Sequence, residues 1–160
     1  MAKKRLPTTP AVRILRERGI AFTLHAYAYE EKGGTRVAAR ELGVDEHRVI
    51  KTLVMESGKE NPFLVLMHGD REVSTRALAR RLHVKTIHPC AAKTAQQHTG
   101  YQVGGISPFG TRKRMKVYVE ETVLELPEIF INAGKRGLMA RIPPRTLTEV
   151  LDAVPVRAAR

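Results

Sequence analysis

The chain has 160 residues, 42% of them hydrophobic and 28% charged, with 28 Lys and Arg against 16 Asp and Glu and a net charge of +12. That length reads as one domain over residues 1–160, burying roughly 70% of its unfolded surface in a single core. The composition excludes a membrane span, because no run approaches the roughly 20 apolar residues one needs; the basic surplus favours RNA, DNA or anionic lipid, or serves solubility alone.

Residues 1–8 read as a flexible basic N-terminus: Met1-Ala2-Lys3-Lys4-Arg5 leads into Leu6-Pro7-Thr8 instead of the apolar core of a signal peptide. Thr9-Pro10 predicts a helix start, with Ala11, Ile14, Leu15 and Arg18 at helical spacing up to Gly19. Ile20 to Tyr29 reads as extended, Glu30 to Gly34 as a polar loop, Thr35 as the cap of a short helix ending at Gly43, and Asp45 as the cap of another turn. Val49 to Glu56 and Pro62 to His68 are β-rich runs joined by the turn-forming stretch Ser57 to Asn61. Ser74 caps a third helix over Thr75 to Leu82. Val84 to Ile87 reads as a short strand and Ala91 to His98 as a helix closed by Gly100. Met115 to Val119 and Glu128 to Asn132 are strands, Gly134-Lys135-Arg136-Gly137 is a tight turn, and Leu138 to Ile142 returns. Pro143-Pro144 opens a last helix. Short-turn strand pairs mixed with short helices predict an α+β domain around a mixed, largely antiparallel, barrel-like sheet.

Candidate chemistry starts at Gly104-Gly105-Ile106-Ser107-Pro108-Phe109-Gly110 and the Arg112-Lys113-Arg114 that follows. This stretch lies between Val73 and Val119, a run with no acidic residue and nine Lys or Arg. Such a loop either offers backbone N–H groups to an anionic or carbonyl oxygen or is a structural bend. A neighbouring basic cluster holds a polyanion, so the pair suggests a reactive group carried on a nucleic acid. It is neither a phosphate-binding P-loop nor a dinucleotide fingerprint. Ser107 lacks the surrounding glycine elbow of a hydrolase nucleophile.

In Val49 to Met55, alternation puts Lys51 on the face of Val49, Leu53 and Met55. There its ammonium either meets an anionic or carbonyl partner or snorkels to water from an edge strand. The six histidines show no metal-ligand spacing, so neither a metal nor a cofactor is expected. Cys90, the lone cysteine, excludes an internal disulfide, fits a reducing cytoplasm, and reads as a packed small hydrophobe. Aromatics are only 5% of the chain, which argues against a sheet that stacks bases.

Lys51-Thr52-Leu53, Thr99 to Gly110 and Ala133-Gly134-Lys135-Arg136-Gly137-Leu138, with Thr9-Pro10-Ala11 and Leu24-His25-Ala26-Tyr27, resemble the YbaK-type aminoacyl-tRNA deacylases. These are free-standing relatives of the editing domain inserted in bacterial prolyl-tRNA synthetase. The resemblance covers roughly residues 9 to 154. It implies hydrolysis of a mischarged tRNA, best matching the branch that clears cysteinyl-tRNA(Pro), with the tRNA selected either directly or by docking on prolyl-tRNA synthetase. In that branch Lys51 anchors the aminoacylated end, and Gly104, Gly105, Ile106, Ser107 and Pro108 bind the ester and ribose. Tyr27, Asn132 and Gly134 are then the candidate substrate contacts, and Arg112, Lys113, Arg114, Lys135 and Arg136 the candidate tRNA contacts. The implied mechanism is substrate-assisted: the cysteine thiol attacks its own ester and leaves as a thiolactone. Alanyl- or seryl-tRNA, and a non-catalytic tRNA-binding module, are the alternatives. The chain departs from the family pattern at Asn132, where many relatives carry a small hydroxyl residue, and at Met139, where some carry a polar or acidic one.

Overall fold

In the computed structural model, which describes residues 6–58 and 62–160, Thr9 starts the first helix as its sequence predicts. Its hydroxyl accepts from the Val12 amide at 3.1 Å, and Pro10, which has no amide to satisfy, takes the first turn of α1 (Pro10–Glu17). The first five residues of the expected basic N-terminus lie outside the described residues, as do positions 59–61 of the expected turn after β2.

The extended run after α1 contributes a shorter strand than predicted, β1 (Thr23–Ala26). Helix α2 (Gly34–Leu42) is not capped by Thr35; Gly33 stands at its N-cap, and the Thr35 hydroxyl donates to Glu46 at 2.8 Å. Asp45 does cap its turn, accepting from the His47 amide at 3.0 Å. Then come β2 (Val49–Glu56), β3 (Phe63–His68) and α3 (Thr75–Leu82), whose cap Ser74 accepts from Ala77. The strand expected at Val84 to Ile87 forms instead at β4 (His88–Pro89), because Met55 and Glu56 at the end of β2 pair there while Ile87 turns into the core.

Helix α4 (Ala92–Thr99) and β5 (Val117–Glu120) follow, then a 3-10 segment, Glu121–Glu125, that sequence reading missed. Strands β6 (Ile129–Lys135) and β7 (Leu138–Ile142) form a hairpin, and α5 (Thr146–Leu151) leads to β8 (Val154–Val156). β8 was also missed: three residues centred on Pro155 carry no alternation, and proline is tolerated because β8 pairs with β5 alone, at the sheet edge.

The strands form one sheet in the order β1-β7-β6-β2-β3-β5-β8, with β4 beside β2. It is the mixed, largely antiparallel sheet predicted: β1–β7, β6–β7, β2–β3 and β2–β4 are antiparallel, whereas β2–β6, β3–β5 and β5–β8 are parallel. The path is open, with β1 and β8 at its ends. Period-two alternation sorts its side chains onto two faces. Leu64 and Leu66 of β3, Ile50 and Val54 of β2 and Ile131 of β6 join Leu15 of α1 and Leu147 of α5 in the larger cluster. On the other face, Val65 and Met67 pack with Leu78 of α3, while Val49, Phe130 and Met139 pack with Ala38 and Ala39 of α2. Lys51, an odd-numbered residue of β2, lies on this second face between Val49 of one cluster and Leu53 of the other.

A buried carboxylate ties the far edge together. Glu120 is 2% exposed; its Oε2 accepts from the Thr122 amide and hydroxyl, and its Oε1 from the amides of Ala158 and Ala159 at 2.8 and 2.9 Å. Burial alone would raise this carboxyl above its ordinary 4.5, but the hydrogen bonds from Thr122, Ala158 and Ala159 outweigh it and lower the pKa. A carboxylate lowered in the folded state adds stability above its unfolded value, and that stability is lost as pH falls through the folded value. Glu120→Gln is therefore expected to cost about 1–3 kcal/mol in urea unfolding at neutral pH. It should also flatten the loss of stability on acidification below the ordinary 4.5; an unchanged acid profile would assign that loss to other groups.

Candidate active site

Strand pairing between β2 and β6 stops almost as soon as it begins. Only Val49 and Ile50 pair, with Phe130 and Ile131, and β4 covers β2 only at Met55 and Glu56. The edge of β2 between them is left without a neighbouring strand. β6 diverges because its register with β7 shifts between Asn132 and Lys135, a bulge that bends the strand.

Asn132 builds this bulge. Its Oδ1 accepts from the Gly134 and Lys135 amides at 2.7 and 3.1 Å, and its Nδ2 donates to the Lys135 carbonyl at 3.1 Å and, more weakly, to the Gly104 carbonyl at 3.4 Å. At 8% exposure it is one polar group tying the hairpin to the glycine loop. The expected four-residue turn resolves into two features: Gly134, at φ 94°, sits in the bulge, and the turn itself is Arg136-Gly137. Gly134 packs against Tyr101 and Thr9 and does not line the cavity described below.

The glycine loop is held from within. Tyr101 donates its hydroxyl to the Phe109 carbonyl at 2.6 Å, Gly105 donates to Gln102 at 2.8 Å, and Phe109 donates to Ser107 Oγ at 3.2 Å. Burial pushes the Tyr101 hydroxyl up to about 12, so it remains a donor. Gly105 has no room for a side chain, since a Cβ there would lie 2.7 Å from the Arg136 amide nitrogen. At Gly104, φ is +93° and a Cβ would meet the Tyr29 hydroxyl at 2.5 Å. Among the described residues, the amides of Gly104, Ile106 and Ser107 have no protein acceptor.

Fork, bulge and loop enclose a cavity of about 590 Å³. β2 contributes Ile50 to Leu53 to its wall, and the loop contributes Gly104 and Ile106. Lys51 therefore shares one cavity with two members of the loop, and Tyr27, Asn132 and Arg136 line it as well. Lys51 Nζ is 3.5 Å from the Gly69 carbonyl, a long contact that leaves its donors available to a ligand. Burial, the largest influence on Tyr27, raises its pKa, so its hydroxyl too is a neutral donor.

The other candidates are elsewhere. Ser107 is 0% exposed and its Oγ is taken by Phe109, so it does not face the cavity. Pro108, Arg112 and Arg114 line a second cavity, of about 560 Å³, with Ile14 of α1, Arg18 just past its end and Glu149 of α5. The amides of Arg112 and Lys113 dock on the carbonyls of Thr99 and His98 at the end of α4. Lys135 is exposed at the hairpin end. Cys90 lies outside the Lys51 cavity, and burial, with Glu56 close by, pushes its thiol up to about 11.

Sequence reading missed Tyr29, Thr35, Thr52 and Val103, all lining the cavity. Tyr29 was within reach, two residues beyond Tyr27 in an extended run. Thr52 was hidden by alternation, which assigns it to the face opposite Lys51; at the fork both faces of β2 meet the cavity, and the buried Thr52 hydroxyl has no partner among the described residues.

Residues 30–150 match the family model described as Aminoacyl-tRNA editing domain. EbsC of Enterococcus faecalis, provisionally named a Cys-tRNA(Pro)/Cys-tRNA(Cys) deacylase, is 29% identical over 154 residues, covering 95% of this chain and 94% of that one. A proline–tRNA ligase of Lactobacillus helveticus is 26% identical over 97 residues, 61% of this chain and 17% of that protein. Two crystal structures share the fold. A hypothetical protein has a TM-score of 0.86 at 21% identity, covering 95% of this chain and 100% of its own. A protein provisionally named a trans-editing enzyme for prolyl tRNA synthetase has a TM-score of 0.83 at 19% identity, covering 96% and 99%.

Removing the Asn132 side chain leaves the Gly134 and Lys135 amides without their acceptor. Asn132→Ala is expected to cost about 1–3 kcal/mol and to speed hydrogen exchange at those two amides. Gly105→Ala should cost a similar amount, about 1–3 kcal/mol, because its neighbour is backbone. Gly43→Ala, with open space around it but at φ +67°, should cost about 1–2 kcal/mol from backbone strain alone and perturb no cavity resonance by NMR.

Proposed function

Because the chain belongs to the aminoacyl-tRNA editing domain family, we propose that the ester it cleaves is that of cysteinyl-tRNA(Pro), a mischarged tRNA. The chain is an aminoacyl-tRNA deacylase. One observation carries the finer reading: Lys51 shares a cavity with Gly104 and Ile106, two loop residues whose amides have no protein acceptor among the described residues, while Ser107 and Cys90 do not line it.

In this reading Lys51 holds the terminal ribose and ester oxygens, and the loop amides stabilise the charge that develops on the carbonyl oxygen. The substrate thiol, ionised as it attacks, bonds to its own ester carbonyl carbon. The carbon–oxygen bond to the ribose then breaks, the thiol proton ends on the ribose oxygen, and the amino acid leaves as a thiolactone. Proximity within the substrate replaces a protein nucleophile. The apolar walls from Ile50, Leu53, Ile106 and Met139 suit a small sulfur-bearing side chain. Prolyl-tRNA synthetase is the proposed partner and the cytoplasm the proposed compartment; among the described residues no helix is long and apolar enough to cross a membrane.

The polyanion reading has its own support. Among the described residues, the only Lys or Arg between Val73 and Val119 with a carboxylate partner is Arg114, which stands 3.8 Å from Asp152 with both side chains well exposed; His88 of the same run pairs with Glu56. Outside that run Arg40, Arg48, Arg141, Arg145, Arg157 and Arg160 each face a glutamate. A surface whose cations lack local partners is suited to phosphates.

The test is a panel of cysteinyl-, alanyl- and seryl-tRNA. Cysteinyl-tRNA(Pro) should be cleaved, Lys51→Ala should slow cleavage by about 100-fold or more, and Cys90→Ser should leave it unchanged. Equal cleavage of alanyl-tRNA would reject the thiol mechanism, and binding without cleavage of any member would leave a tRNA-binding module. Replacing Arg112, Lys113 and Arg114 together should weaken tRNA binding and flatten the slope of log K against log salt by about 2–3.

A further inference from the structure

Arg136 is the cavity-lining residue whose chemistry is least explained by ester cleavage. Its guanidinium carbon lies 5.2 Å from the centre of the Tyr29 ring, and its Nε donates to the Val103 carbonyl at 2.9 Å. Tyr29 is fixed in turn: its hydroxyl end lies over the α-carbon of Gly104, where a Cβ would approach it to 2.5 Å, and its Cβ lies against Gly137. Val103, 43% exposed, is one of two large hydrophobic side chains exposed among the described residues. Arg136, Tyr29 and Val103 all belong to the lining of the cavity that holds Lys51.

A lone arginine that binds phosphate is ordinarily free to swing; this one has lost its torsional freedom to a ring and a carbonyl. No carboxylate pairs with it among the described residues, so its charge is not spent on an ion pair. What remains is a flat cation held in place beside an exposed aliphatic side chain, which is the surface an unpaired nucleobase stacks on. The low aromatic content does not oppose this, because a guanidinium plane stacks bases without a sheet of rings.

We propose that Arg136, held by Tyr29 and Val103, is the stacking platform for the terminal, single-stranded base of the RNA whose ester lies in the Lys51 cavity. This rests on the deacylase reading and deepens it. Arg136 is then a base contact, not the phosphate contact that its place in a basic turn suggests.

The experiment uses uncharged RNA hairpins with a single-stranded 3′ end whose last base is 2-aminopurine, whose emission falls on stacking. The wild-type protein should quench the probe on binding. Arg136→Lys keeps the charge and loses the plane; it and Tyr29→Leu should abolish the quench and weaken binding roughly tenfold. Tyr29→Phe should keep the quench. A hairpin with an abasic last residue should bind the wild type as weakly as the intact hairpin binds Arg136→Lys. Binding with an unquenched probe, or full quenching by Arg136→Lys, overturns the platform even if the protein deacylates tRNA. A quench lost in Arg136→Lys and Tyr29→Leu but kept in Tyr29→Phe upholds it even if no ester is cleaved, and no hairpin binding at all overturns the platform while the cleavage panel still decides the deacylase reading.

Discussion

Parallel strands β2 and β6 can stay paired only while both remain straight, and the side chain of Asn132 prevents that. By drawing the Gly134 and Lys135 amides onto its own oxygen, it inserts a bulge and turns the end of β6 away from β2. The ladder opens after Ile50 and Ile131, and the space between the parted strands is the cavity. Everything proposed for the site follows from that opening: Lys51 stands at its start, the glycine loop closes its other side, and the hairpin turn supplies its rim. A sheet fully paired at this point would have buried Lys51 against neighbours that cannot satisfy an ammonium.

The glycine loop and the hairpin are shaped by each other. Gly105 lets the loop backbone lie on the backbone of Lys135 and Arg136, and Asn132 reaches back to Gly104. Two segments far apart in sequence thus act as one rigid wall, with Tyr101 closing the loop from below. Free amides on a rigid wall lose little freedom when they meet an oxygen, which is the condition under which backbone donors aid ester cleavage.

The sequence made the helix starts at Thr9 and Ser74, the β2–β3 pair and the β6–β7 return legible, because capping and alternation are local signals. Lys51 was singled out for its apolar neighbours, and it does lie between two apolar clusters. Other features depended on distant partners. Thr35 has the look of a cap but is claimed by Glu46, and β4 forms where β2 offers pairing, not where its own residues favour a strand. Thr52 and Val103 stand inside the resembling motifs, but their place in the cavity had no local sign, because nothing local marks where a sheet divides. Adjacency in sequence misled once, since Pro108, Arg112 and Arg114 follow the loop closely yet face another cavity.

The strand order also has a kinetic meaning. β1, near the start of the chain, pairs with β7, near its end, matching Thr23 to Arg141, and Tyr27 is anchored by the carbonyl of Gly137. Almost the whole chain must therefore close into a loop before the cavity has its second wall, and topologies dominated by such distant contacts fold slowly. During synthesis, Lys51 emerges long before the residues that give it a purpose. A nascent chain lacking β7 carries the lysine without the cavity's second wall, so the cavity cannot form before β7 has been synthesised.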